Sequence, residues 1–242
     1  MAEQELIKHT KAVYKIWNSK EHNFWHKLKE FLVEIFIIVF AITVSLWFHN
    51  RSEHSHQQED VKQFLLGLKN DLQSDLVEMQ NDKASYLGQQ AAFTYLSNIK
   101  MKELPDMDSL KKYRNSLSNT TAFNPNNGRF EGFRSAGKIG EIEVPELQND
   151  IMDLYQEDII SLLASTDSYI RSKRAFFEYI IKNGKRLTDS TSNFRSIVVE
   201  DEAHNITAFL NTPGEVLARY DKCIAKIKKI IAEINEAYHL KE

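Results

Sequence analysis

The chain has 242 residues, 42% hydrophobic and 27% charged, with 31 lysines and arginines against 34 aspartates and glutamates. The resulting net charge of −3 excludes a nucleic-acid binder that works by bulk charge, because counterion release needs a concentrated basic face. Only 8 glycines, 4 prolines and one cysteine, Cys223, exclude a β-sandwich, an intrachain disulfide framework and a multi-cysteine metal site, so the expected fold class is all-α.

Residues 1–30 carry six lysines (Lys8, Lys11, Lys15, Lys20, Lys27 and Lys29), interleaved with Trp17, Phe24, Trp25 and Leu28. Such a stretch reads as a cytoplasmic segment lying on the inner leaflet as a basic amphipathic helix. Residues 31–48, FLVEIFIIVFAITVSLWF, hold one ionisable group, Glu34. At 1.5 Å per residue they make a helix about 27 Å long, enough to cross a hydrocarbon core with its ends snorkelling. Trp25 stands before the span and Trp47 at its exit, where aromatic side chains anchor a helix at the interface. The lysine excess before the span and its lack after it place the N-terminus in the cytoplasm and residues 49–242 outside.

Beyond the span, Val61, Leu65, Leu68, Leu72, Leu76 and Met79 keep a three-or-four spacing, which Tyr86, Leu87 and the stretch from Ala91 to Leu96 prolong. The pattern predicts a helix over 54–100, stopped by Pro105. A shorter helix is expected over 108–118, capped by Asp108, with Leu110, Tyr113 and Leu117 facing inward. Residues 119–145 crowd together Gly128, Gly132, Gly137 and Gly140 with several asparagines and read as a long irregular loop. Pro145 opens the next predicted helix, whose apolar face runs from Leu147 to Phe177 and which stops at Gly184. Residues 187–210 suit a helix, with a strand through SIVVE as the alternative. The final helix, over 212–240, places Val216, Tyr220, Cys223, Ile227, Ile230, Ile234 and Ala237 at alternating steps of four and three. That is coiled-coil spacing, and its expected partner is the first long helix of the same chain in an antiparallel bundle, or else a second copy.

Several constellations resemble sites. Gly132, Gly137 and Lys138 copy most of a phosphate-binding loop, but Ile139 stands where that loop needs a serine or threonine for magnesium. His49, His54 and His56 cluster at the outer end of the span, yet on one helix His54 points away from the other two. Nucleophile elbows, zinc helices and paired catalytic carboxylates are not in evidence, so no catalytic residue, cofactor or metal is expected. Glu34 is the strongest functional candidate, because a carboxylate at membrane depth implies a partner cation, a proton path or an assembly contact. Thr43 and Ser45 can bond a neighbouring membrane helix or their own backbone.

A lysine-bearing start, a span opening with a glutamate, the exit Trp47-Phe48-His49-Asn50 and the helix that begins near QEDVKQFLLGLKNDLQSDL resemble an uncharacterised family of single-pass inner-membrane proteins of Bacteroidota. The segment from Phe130 through Phe133, Ser135, Gly137 and Lys138 to Ile139, followed by Glu146-Leu147, is similar to that family's second hallmark. The resemblance implies a Gram-negative inner membrane and a periplasmic helical domain, with no known activity. The expected function is a non-enzymatic scaffold or accessory subunit of an envelope complex. Its span would meet other membrane helices through Glu34, Thr43 and Ser45. Its loop at Phe130, Phe133, Ser135, Gly137 and Lys138 would meet a periplasmic protein. Competing expectations are an ion-coupled, stator-like subunit that protonates Glu34 and a periplasmic ligand-sensing bundle.

Overall fold

A computed structural model describes Lys11, Tyr14 and residues 24–188 and 191–239. Most of the expected amphipathic segment, including Trp17, and Leu240 at the end of the expected last helix lie outside the described residues. The chain divides into two compact units, Met1–Asp60 and Val61–Glu242. Helix α1, Phe24–Ser97, supplies residues to both and starts well before the position the apolar spacing alone suggests. Its early start follows from the sequence, since no proline or glycine interrupts the chain up to Leu66.

In the first unit, α1 contains an eighteen-residue apolar window, none of it buried, long and apolar enough to cross a membrane. Phe36, Val39 and Phe40 are all more than half exposed. The second unit is helical and has one main core. From Val61 onward, α1 buries Leu65, Leu68, Leu72, Met79, Tyr86, Phe93 and Leu96, whereas Leu87 faces outward.

Helix α2, Met107–Ser118, begins one residue earlier than expected, because Asp106 rather than Asp108 is the cap: its Oδ2 accepts from the Ser109 amide at 2.8 Å. The expected irregular loop over 119–145 is a shorter loop followed by helix α3, Gly128–Ser135, and a 3₁₀ turn, Lys138–Glu141. Tertiary contacts overrule the glycine-rich composition here. Three acidic side chains on one face of α1 hold the segment down. Asp75 accepts from the amide and side chain of Asn126, Glu78 from the Asn124 amide, and Asp71 from Arg129 Nε at 2.9 Å.

The long helix expected from Pro145 is present as α4, Pro145–Asp153, a π-helical turn, Leu154–Asp158, and α5, Ile159–Asn183. The extra residue of the π turn lets Tyr155 and Asp158 both turn inward. Gly184 ends α5; a Cβ there would sit 2.7 Å from the Ile180 carbonyl oxygen. Among the described residues between 187 and 210, the helix is confined to a short turn, α6 (Phe194–Ile197), and to α7 (Asp201–Leu210). Ahead of them, Asn193 ties back to the end of α5 by accepting from the Lys185 amide and donating to the Asn183 carbonyl. The last helix, α8 (Gly214–Ala237), buries Val216, Tyr220, Cys223, Ile227, Ile230 and Ile234, with Ala237 left outside the core.

Helix α5 packs against α7 and α8, and α4 against α8. Aromatic rings join α1 to these helices: Tyr86 meets Tyr169 edge-on at 5.3 Å and Tyr220 at 5.7 Å, and Phe93 meets Phe176 at 5.5 Å. Outside the core, Lys222, Lys226 and Lys229 of α8 pair with Asp158 and Asp150. Burial alone would raise the Asp150 carboxyl, but the two lysines hold it below its ordinary value.

Candidate functional site

The residues singled out in the span take distinct roles in α1. Glu34 lies half-exposed in the first turns of the apolar window. Thr43 bonds its own helix, its hydroxyl donating to the Val39 carbonyl at 2.8 Å, and Ser45 is exposed. Trp25 and Trp47 are exposed, with the Trp47 ring edge-on to Phe48 and the Arg51 guanidinium 6.0 Å from its centroid. That grouping suits the water boundary of a bilayer, where an indole has an apolar body and a polar rim.

The second candidate, the loop residues Phe130, Phe133, Ser135, Gly137 and Lys138, divides into a buried and an outward half. Phe130 is fully buried and stacks on Tyr155 at 4.4 Å, while Phe133 stacks on Phe64 of α1 at 3.9 Å. Both rings are therefore wedges that seat α3 on the core. Ser135 and Gly137 are exposed and Lys138 is half-buried, so only this edge can meet another molecule. Gly137 has φ +74°, a left-handed conformation in which a side chain is strained. Gly137→Ala should therefore lower stability by about 1 kcal/mol, measurable as a fall in thermal midpoint without loss of helix content. Gly132 sits inside α3, so the Gly132–Lys138 stretch lacks the open loop ahead of a helix that cradles phosphates.

Among the described residues, no group of three or more histidine, cysteine, aspartate or glutamate side chains is placed to hold a metal ion. His49 lies 3.9 Å from Glu53, an exposed pair one turn apart. Cys223 is buried in the α8 core stripe, and burial pushes its thiol up to about 12, which makes it a poor nucleophile.

Sequence reasoning missed the most unusual buried group, Lys173 of α5, which is 3% exposed. Its Nζ donates to Gln89 Oε1 at 2.7 Å, to the Ser116 carbonyl at 2.9 Å and to the Asn119 carbonyl at 2.7 Å. All of these acceptors are neutral, and burial pushes the ammonium down to about 8. Gln89 and Ser85 extend the network to Thr121 and Asn119, and the Tyr86 hydroxyl donates to the Thr121 carbonyl. The signal was present in the sequence, since Lys173 falls in step with Leu162, Thr166, Tyr169 and Phe176 on the inward stripe of α5.

A family model described as a family of unknown function, DUF6090, matches residues 33–209. Neither a curated protein nor a solved structure matches the chain.

Proposed function

The chain belongs to the DUF6090 family of unknown function, and on that premise we propose that it is a non-enzymatic, membrane-anchored helical protein serving as a scaffold or accessory subunit of a bacterial envelope complex. The observation that carries this reading is the unburied apolar window of α1, a face that water does not tolerate at this length. In a Gram-negative cell of the Bacteroidota type, the lysines of residues 1–30 would stay in the cytoplasm and residues 49–242 would form the periplasmic domain. There α1 and α8 form an antiparallel, coiled-coil-like pair. The reading is supported by the bonds of Lys69 to Asn235 and of Asp82 to Tyr220, whose numbers rise on one helix as they fall on the other. Glu34, Thr43 and Ser45 would contact partner helices in the bilayer, and the Ser135–Lys138 edge a periplasmic protein or a second copy.

The test is purification of the tagged full chain from its own membranes in mild detergent, with mass spectrometry of what is retained, beside Glu34→Ala. Partners recovered with the parent and lost with the variant are the expected result. Recovery of the chain alone in both would overturn the scaffold reading. An ion-coupled role makes a different demand: Glu34→Gln should then keep the partners and lose the function.

A further inference from the structure

Helix α2, α5 and the α6 turn enclose a surface cleft of about 820 Å³, within the range of about 300–1,000 Å³ usual for small-molecule sites. Its walls are largely hydrocarbon, with Leu110 and Leu117 from α2, Phe176, Phe177 and Ile180 from α5, and Phe194 from α6, and its hydroxyls come from Ser118, Thr191 and Ser192. Among the described residues, every charged residue lining it is cationic, namely Lys111, Arg114 and Arg195. Two acids at the start of α2 are engaged. Asp108 pairs with Lys111 at 3.0 Å, and Asp106 caps α2. Arg195 is half-buried and fixed by its Nε bond to the Pro105 carbonyl at 2.9 Å. A second hollow of about 450 Å³, which shares Ile180 and Phe194 with the cleft, is bordered by Lys185 and Arg186.

A largely apolar cleft with guanidinium groups among its lining complements one kind of molecule, an unbranched hydrocarbon chain ending in a carboxylate. Apolar walls gain by taking the chain out of water, and a guanidinium offers a carboxylate two parallel donors. We propose that the cleft between α2, α5 and α6 binds a long-chain fatty acid, with its acyl chain along Phe176, Phe177, Ile180 and Phe194 and its carboxylate at Arg114 and Arg195. This site lies within residues 61–242 and is independent of the scaffold reading.

The test uses the purified full chain in mild detergent and a palmitate analogue carrying a diazirine on its acyl chain, with the photolabelled peptides mapped by mass spectrometry. Label is expected on the α5 and α6 wall residues, displaced by palmitate and not by methyl palmitate, which lacks the charge. Arg114→Glu, a change at an exposed position, should cut that labelling by about tenfold or more, the loss of one charge-assisted hydrogen bond, while the helix content stays the same. Labelling only within residues 31–48, equal displacement by the methyl ester, full labelling of Arg114→Glu, or displacement by a two-chain phospholipid or an acidic peptide in place of palmitate would each overturn the proposal.

Discussion

Lys173→Met is expected to destabilise the helical domain by about 2–4 kcal/mol and to loosen the end of α2 first. Methionine keeps most of the apolar stem of the side chain, but the contact of Nζ with the Phe93 ring, 5.6 Å from its centroid, goes with the charge. What is lost is a donor for the carbonyls of Ser116 and Asn119. These groups stand at the C-terminal end of α2, where the last carbonyls have no partner within the helix and the helix dipole favours a positive charge. With Gln89 Oε1 and Asn119 Oδ1, four acceptors lose their donor, at about 1–3 kcal/mol each. Relief from burying a charge offsets part of that sum, as the lowered ammonium pKa indicates, and leaves the net loss stated. Thermal unfolding of the full chain in detergent would give the total, and amide exchange would locate it. Faster exchange should appear at residues 115–121 before the rest of the domain. A variant as stable as the parent, with unchanged exchange at α2, would show that the lysine is merely tolerated.

The same residue shows how much of the fold could be read from the sequence. Helix α8 was legible because every core position carries an apolar side chain at steps of four and three, and the six that the structure buries were all named from that spacing. The inward stripe of α1 is just as regular: Val61, Leu65, Leu68, Leu72, Asp75, Met79, Asp82, Tyr86, Gln89, Phe93 and Leu96. Three polar residues stand on it seven apart, and a reading that follows only hydrophobicity skips them and substitutes Leu76 for Asp75. Each has a polar partner from elsewhere in the chain: Asn126 for Asp75, Tyr220 for Asp82 and Lys173 for Gln89. Those partners lie far along the sequence, so no local pattern announces them.

The glycine- and asparagine-rich stretch misled for the same reason. Composition reports local preference, whereas Asp71, Asp75 and Glu78 on α1 and the Phe130–Tyr155 stack fix that stretch from outside it. The start of α2 differs by one residue because Asp106 and Asp108 are both able caps, and only the Ser109 bond distinguishes them. The fatty-acid cleft could not be read from sequence at all, because its basic rim is assembled from α2 and α6, some eighty positions apart.

Alkaline pH should unfold the domain sharply. Tyr86, Tyr155, Tyr169, Tyr179 and Tyr220 are all buried, and burial raises each phenol above its ordinary range; for Tyr86 and Tyr220 the Asp82 carboxylate adds to the effect. A raised folded-state pKa means that the unfolded chain releases its protons first, near pH about 10. The stability these groups contribute is therefore complete below that value and is lost as the pH climbs above it. Cys223, pushed up to about 12, acts in the same direction from slightly lower pH. Lys173 acts in the opposite direction: the folded protein gives up its proton near 8 while the unfolded chain holds it to about 10.4, so its contribution rises with pH across that window. The magnitudes decide the outcome, since five phenols at about 1.4 kcal/mol per pH unit lose about 7 kcal/mol per unit between them, against about 1.4 from the lysine before its window closes. A domain of ordinary stability, about 5–15 kcal/mol, does not survive two such units. Stability measured in detergent should hold between pH 8 and about 9 and then collapse above about 10. The phenolate absorbance of the buried tyrosines should appear together with the loss of helix. Phenolate that accumulates while the helical signal stays whole would mean that these hydroxyls reach water, and that Tyr86, Tyr169 and Tyr220 are not the closed centre of the core.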